Sequence, residues 1–417
     1  MPELLTQELL SGAWLQSAPL RKVFAALQSD GDEVRVVGGA VRNALLRRPV
    51  SDIDLATTAR PEDVMRLARV AGLGAHPTGI DHGTVTVVAD SNPYEVTTLR
   101  RDVETDGRHA VVAFTRNWEE DAARRDFTIN ALYCGADGTL YDFAGGLDDL
   151  RKRRVRFIGD PEQRIREDYL RILRFFRFSA DFANGHVNTT GLAAAIALKD
   201  GVDRLSPERV RGELLKLLAA PKAADVVAIM DANGILPLII GAHSDPNCLA
   251  RLTAIEAALG QPPDAIARLA ALSANSAAKA AELSDRLRLS NIESARLAAA
   301  ATFEPAVDPA RPEPAARAIL YKLGADAFRR AARIAWARSG APASDPGWRA
   351  RALLPDRWKT PAMPFAGSDV VAMGVPEGPA VGHVLKSFER WWIAQDFPPE
   401  PGLQQEQLNR FVREELG

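Results

Sequence analysis

The stretch from Val36 to Leu55 constrains this chain most. A hydrophobic strand ends at Val36-Val37, Gly38-Gly39 follows at once, and a helix then carries Arg42 near its start. One helix later comes Asp52-Ile53-Asp54 on a second strand. Strand residues i and i+2 share a face, so Asp52 and Asp54 set two carboxylates side by side. Like charges that close repel unless a cation lies between them. A hard divalent ion such as Mg²⁺ takes carboxylate oxygens and completes its shell with water and substrate phosphates. The Gly-Gly turn lets backbone approach a ligand closely, and the helix start offers N–H groups to an anion. Asp-x-Asp alone is common on surface loops and Gly-Gly alone is usually a turn. The combination reads as a site for a metal-bound nucleoside triphosphate.

At 417 residues, 47% hydrophobic and 25% charged, the chain exceeds one compact core, and two to four domains are expected. A net charge of −2 argues neither for nor against nucleic acid as a partner. Cys134 and Cys248 make neither a disulfide framework nor a zinc site, which fits a reducing, cytoplasmic setting. The start, Met1-Pro2-Glu3-Leu4, lacks the pattern of a signal peptide, no apolar run reaches the length of a membrane span, and no obligate protein partner is evident. None of the six histidines precedes an Asp, which argues against a His-Asp metal phosphohydrolase.

Strand signals crowd residues 34–160: Val34–Val37, Asp52–Ala56, Thr84–Ala89, Tyr94–Leu99, Val111–Phe114, Thr139–Phe143 and Val155–Ile158. Helical stretches lie between them, and residues 1–33 read as helix and then turn. After Asp160 the strand signals nearly vanish and Leu, Ala, Arg and Glu recur at helical spacing. The expected fold is therefore α+β, a small mixed sheet followed by helices. The expected domains are 1–160, 161–240, 241–345 and 346–417.

Further constellations follow. Arg124-Arg125-Asp126-Phe127-Thr128-Ile129-Asn130-Ala131 suits a phosphate or sugar contact, since the Arg fork fits phosphate, or else a surface ion pair. Asp142-Phe143-Ala144-Gly145-Gly146 reads as a tight connector. A helix is expected from Glu167 to Phe178, with Arg164, Glu167, Asp168, Arg171, Arg174 and Arg177 on one face beside the basic run Arg151–Arg156. Most such faces are solvated ion pairs, but the excess of arginine fits a polyphosphate or nucleic-acid site. Asp168 and Arg171 also match a base-reading pair. Cytosine and adenine both present an amino donor beside an unprotonated ring nitrogen, whereas uracil and guanine present a carbonyl beside a ring N–H. An Asp that accepts and an Arg that donates take the first pair and refuse the second. The helix opened by Ser206-Pro207-Glu208-Arg209 reads as bracing for it. Near the end, Gly374–Gly382 leads to Trp391 and Trp392, either a phosphodiester contact or a packed helix–turn–helix.

In this order the motifs resemble those of the class II tRNA nucleotidyltransferases, the CCA-adding enzymes that share ancestry with bacterial poly(A) polymerases. The resemblance covers roughly residues 30–220. It implies a nucleotidyltransferase head, then helical neck, body and tail, the last binding tRNA. It implies addition of C, C and A to the 3′ acceptor end of tRNA from CTP and ATP, with Mg²⁺ and without a nucleic-acid template. Carried over by position, Asp52 and Asp54 hold the metal and carry catalysis. Gly38, Gly39 and Arg42 meet the triphosphate, and Arg125, Asp126 and Asn130 the nucleotide and its ribose. Glu167, Asp168 and Arg171 form the amino-acid template, with Arg174 near the phosphates and Glu95 as a candidate third carboxylate. Asn43 is a departure, since many relatives carry Asp after the Arg. The segment Thr78–Val87 with Glu95–Arg100 looks like the CCA-adding form, and Arg100–Phe114 resembles the loop tied to the switch from C to A. A poly(A) polymerase, a CC- or A-adding enzyme and a non-catalytic tRNA-binding protein are the alternatives.

Overall fold

A computed structural model describes residues 12–106, 109–241, 243–302 and 307–417; the side chains of Asp81 and of 102–112 are outside the description. The chain divides into two compact units, Met1–Ala242 and His243–Gly417.

The first unit is organised by a seven-stranded sheet in the order β3-β4-β5-β2-β1-β8-β9. Its strands are β1 Val34–Val37, β2 Asp54–Thr57, β3 Gly74–Gly79, β4 Thr84–Ala89, β5 Asn92–Thr98, β8 Leu132–Cys134 and β9 Leu140–Asp142. Strands β2 and β5 run parallel and the other pairs antiparallel, so the sheet is mixed. All four residues of β1 are buried, as central position demands. β4 alternates between half-buried Thr and buried Val, which marks two unequal faces. A separate ribbon pairs β6 Arg100–Asp106 with β7 His109–Phe114.

The sheet hands over to helices through one aromatic cluster. Phe127 lies 4.8 Å from Phe157 and 5.3 Å from Phe178 between ring centroids, and Phe157 lies 5.2 Å from Phe175. Phe127 and Phe175 are fully buried. Burial of rings this size dominates local packing energy. The cluster therefore fixes the segment 124–131 against helix Leu170–Phe182. Gly146 tightens the same corner, because a Cβ there would fall 2.1 Å from the Thr128 carbonyl oxygen.

Several expectations are corrected. The strand expected at 52–56 begins at Asp54, so Asp52 sits in the connector before it. Val155–Ile158 makes only an isolated bridge between Phe157 and Phe127. The helix expected through 167–178 is two helices, Pro161–Glu167 and Leu170–Phe182, because Asp168 is extended at φ −156°. Strands β3, β6 and β8 were not foreseen: β3 is half polar, and β8 has three residues. Of the Arg100–Phe114 segment, Gly107 and Arg108 lie outside the described residues, as do residues 1–11 of the expected N-terminal helix.

The second unit is helical among its described residues, from Pro246–Ala258 to Pro401–Leu416. One of its cores gathers Val370, Val384, Phe388, Trp392, Phe397 and Leu408. Trp392 is 2% exposed, so that tryptophan is core. Among the described residues, no helix in the chain is long and apolar enough to cross a membrane.

Candidate active site

The site begins where β1 stops. Gly38 has φ +74°, a left-handed conformation that L side chains rarely adopt, and it caps helix Gly39–Leu45. Its N–H donates to the Leu132 carbonyl at 3.0 Å, which holds the turn against β8. Arg42 follows on the helix and is only 8% exposed. Its guanidinium donates to Asn130 Oδ1 and, at 3.1 Å, to Asn43 Oδ1, and lies 4.2 Å over the Phe182 ring. Burial and nearby Arg177 lower its pKa to about 10, against the pull of Asp181 and Asp126. It remains a cation, held rigid and short of counter-charge.

Across the sheet, Asp54 opens β2 in register with Glu95 on parallel β5 and Val37 on β1. Asp52 precedes it and accepts from the Ser51 hydroxyl at 3.1 Å. Asp54 reaches the solvent of a cleft, yet its carboxyl is pushed above the usual range. Desolvation is the main cause, then repulsion from Glu95 and Asp52, with Arg125 opposing. Asp52, Asp54 and Glu95 line one cavity of about 710 Å³. Among the described residues no three metal-ligating side chains converge into a closed ligand cage. The donor set fits a hard divalent ion that draws its remaining oxygens from a substrate and water.

Two other carboxylates nearby, Asp121 and Asp126, are paired. Asp121, 1% exposed, accepts from Arg124 at 2.6 Å, Arg125 at 3.0 Å and the Tyr133 hydroxyl at 2.8 Å. Burial would raise its pKa, but Arg125, Arg124 and Tyr133 outweigh it and bring it down to about 2. Asp126 accepts from Arg174 Nη2 at 2.6 Å, Asn130 Nδ2 at 3.1 Å and its neighbour's N–H at 2.8 Å. Burial opposes these contacts too, and Arg174 prevails, so its pKa is also lowered.

Helix Leu170–Phe182 forms the far wall. Asp168 stands two residues before it; one carboxylate oxygen accepts from the Leu170 N–H at 3.1 Å and the other from Arg209 at 2.7 Å. The extended backbone at Asp168 ends the preceding helix. Arg171 donates to Glu167 at 2.5 Å, to the Arg164 carbonyl at 2.9 Å and to the Arg124 carbonyl at 3.3 Å. Glu213, on helix Pro207–Ala219, accepts from Arg177 at 2.5 Å. That helix thus braces the wall with Arg209 and Glu213. Gly38, Gly39, Arg42, Asp54, Arg125, Asp126, Asn130, Asp168, Arg171 and Arg174 line a second cavity of about 470 Å³. Glu167 stands behind Arg171, and Asp52 belongs to the first cavity.

Residues 34–156 match the family described as "Poly A polymerase head domain", and residues 189–243 match "Probable RNA and SrmB- binding site of polymerase A". The CCA tRNA nucleotidyltransferase 1, mitochondrial, of Danio rerio is 44% identical over 211 residues, 50% of this chain and 49% of that protein. The CCA-adding enzyme of Streptococcus gordonii is 40% identical over 228 residues, 53% of this chain and 56% of that protein. The chain thus spans about half the length of the curated relatives it matches. Over nearly full length, the Bacillus stearothermophilus CCA-adding enzyme solved in complex with CTP has a TM-score of 0.68 at 28% identity. That match covers 96% of this chain and 99% of the other. Residues 34–156 are therefore a poly A polymerase head domain.

Within this head, Arg124 belongs to the expected 124–131 motif, whereas Asp121 and Tyr133 build the site beyond the residues expected from the sequence. Asp121 was legible, since it stands three and four residues before Arg124 and Arg125 on a helical turn. Tyr133 was not, because only the sheet brings β8 against helix Trp118–Ala123. The basic run 151–156 is partly neutralised: Arg154 and Arg156 bind Asp149, and Lys152 binds Asp148 at 2.9 Å.

Proposed function

We propose that this protein adds C, C and A to the 3′ end of tRNA, using CTP and ATP, without a nucleic-acid template. One observation carries the reading. Asp54 borders both cavities, so a carboxylate pair flanks an arginine pocket at one point. The names of relatives that share the head support tRNA as acceptor. The four-part division into head 1–160, neck 161–240, body 241–345 and tail 346–417, and a cytoplasmic location, belong to the same proposal.

In this reading the triphosphate enters the arginine pocket, where Arg42, Arg125 and Arg174 offer forked donors to its oxygens and the Gly38–Gly39 turn lets it approach the backbone. The 3′-oxygen of the acceptor attacks the α-phosphorus in line. A new P–O bond forms, the bond to the bridging oxygen breaks, and pyrophosphate leaves. Asp52 and Asp54, with Glu95 in register, would hold Mg²⁺. When bound, divalent ions supply charge neutralisation at the reacting phosphate and favour the deprotonated hydroxyl. Asp168 and Arg171 stand where the base would lie. The contacts described for Arg171 occupy three of its five N–H donors, which leaves donors for a ring nitrogen. Uracil or guanine would leave that pair mismatched, at a cost of about 1–3 kcal/mol per unsatisfied group.

The test is product sequencing on tRNA that ends at its discriminator base. Addition of C-C-A with CTP and ATP is expected. A run of A, or arrest after C-C, would assign the protein to the poly(A) or partial class instead. Absence of pyrophosphate release would point to a non-catalytic tRNA-binding protein.

A further inference from the structure

The cavity on the carboxylate side of Asp54 differs from the nucleotide pocket in its charge. The pocket is lined by six arginines, including Arg42, Arg125 and Arg174. The cleft has Asp52, Asp54 and Glu95 and, among its described lining residues, neither Arg nor Lys. It lies at the start of the parallel pair β2–β5, and its outer wall is Trp14. Trp14 belongs to a tight turn that leads into helix Ala18–Leu27. The Leu15 N–H donates to the Gly12 carbonyl at 3.2 Å and the Ser17 N–H to the Trp14 carbonyl at 3.4 Å. Leu15, 1% exposed, plugs that turn into the core. Trp14 is half-buried, so part of a large aromatic side chain lines this polar cleft.

We propose that this cleft seats the terminal nucleoside of the RNA acceptor, with Trp14 as the platform on which its base stacks. The inference rests on the nucleotidyltransferase reading above. In-line displacement requires the attacking oxygen to approach the α-phosphorus from the side opposite the departing pyrophosphate. The arginines set the pyrophosphate side, so the acceptor comes from the carboxylate side. With Asp52, Asp54 and Glu95 committed to the metal, the rest of the described lining, Trp14, Ser51, Thr86, Asn92 and Tyr94 among it, is uncharged and suits the neutral sugar and base of a chain end. Asn92 and Ser51 supply uncharged hydrogen-bonding groups to a ribose, and stacking tolerates any base because every base has a π-face. The cavity of about 710 Å³ falls within the range of about 300–1,000 Å³ typical of small-molecule sites.

The experiment uses the full chain and an acceptor-stem minihelix ending at its discriminator nucleotide. Trp14→Ala should raise the KM for the minihelix about tenfold, the size of one lost base–aromatic stack. The KM for CTP should stay unchanged, and Trp14→Phe should restore most of the loss. A minihelix carrying 4-thiouridine at its 3′ end should, on irradiation with the unsubstituted protein, crosslink to the peptide containing Trp14. This second arm needs neither a variant nor turnover. Equal minihelix KM in a folded Trp14→Ala protein, or a crosslink confined to helix Leu170–Phe182, would overturn the seat. Failure of the unsubstituted protein to incorporate any nucleotide would instead overturn the proposed function, and the crosslink would still decide where the RNA end lies.

Discussion

Two sets of carboxylates sit in the same head under opposite conditions. Asp121 and Asp126 are nearly sealed from solvent, and each is surrounded by donors, Arg124, Arg125 and Tyr133 for one and Arg174 and Asn130 for the other. Their pKa values are lowered although burial alone would raise them. Asp54 is open to a cleft, yet its carboxyl is raised, by desolvation first and then by Glu95 and Asp52. The paired acids serve as joints that fix Arg125 and Arg174. The unpaired acids carry a charge the protein leaves uncompensated, and a bound cation would compensate it.

The largest effect should come from the unpaired set. Asp54→Asn or Asp52→Ala should lower nucleotide incorporation on the order of a thousandfold or more, as loss of metal-assisted charge stabilisation does. Stability should not fall, because a repulsive charge is removed. Mg²⁺ should raise the Tm of the unsubstituted protein and raise that of Asp54→Asn less. Robust turnover in Asp54→Asn would break the comparison at its root.

That contrast was only partly legible in the sequence. Gly38-Gly39, Arg42 and Asp52-Ile53-Asp54 announced themselves because a strand, a left-handed turn and paired acids leave local marks. The α+β division was legible for a similar reason, since the period of the apolar residues changes at Asp160. The pairing of Asp126 with Arg174 was not legible, because 48 residues separate them and only the Phe127–Phe157–Phe175 cluster brings them together. The break at Asp168 was hidden for another reason. Charge spacing continues smoothly through 167–171, whereas the backbone at Asp168 is extended and its carboxylate is held by the Leu170 N–H and by Arg209, 41 residues on. Strand β3 escaped because it follows Gly74 with His76, Pro77 and Thr78, which carry little strand signal.

The paired set is expected to matter first for folding. Asp121→Asn leaves Arg124 and Arg125 facing a neutral group in a dry site, and loss of one partner from a buried pair costs about 3–5 kcal/mol. Urea unfolding should register that loss, and the KM for CTP should rise as Arg125 loses its hold. The pH dependence sharpens the point. The folded pKa of Asp121, about 2, lies below the ordinary value of 3.8. Its contribution is therefore present above pH about 4 and is lost as pH falls toward 2, an amount on the order of 2 kcal/mol. The Asp121→Asn protein should show a shallower acid limb over that window. Asp54 has the opposite sign. Its raised pKa opposes folding as pH climbs past the ordinary carboxylate range, so Asp54→Asn should gain stability relative to the unsubstituted protein as pH rises. Parallel pH profiles for the two variants would contradict the division into joints and unpaired charges.

The smallest effects should fall on the proposed base-reading wall, where Asp168 is held at both oxygens, one by the Leu170 N–H and the other by Arg209. Asp168→Ala should lower CTP:UTP selectivity about 5- to 150-fold, the equivalent of about 1–3 kcal/mol for one unsatisfied polar contact. Arg209→Ala removes the brace and keeps the reader. The Arg209–Asp168 pair is 35% and 26% exposed at its side chains, so the brace is worth about 1 kcal/mol or less. Selectivity should then fall by less than about tenfold, with the Asp168 carboxylate still aimed by the Leu170 N–H. If Arg209→Ala matched Asp168→Ala in selectivity, the carboxylate would be read as a joint like Asp121. If only Asp168→Ala relaxed selectivity, Asp168 would act on the substrate directly and not as a joint.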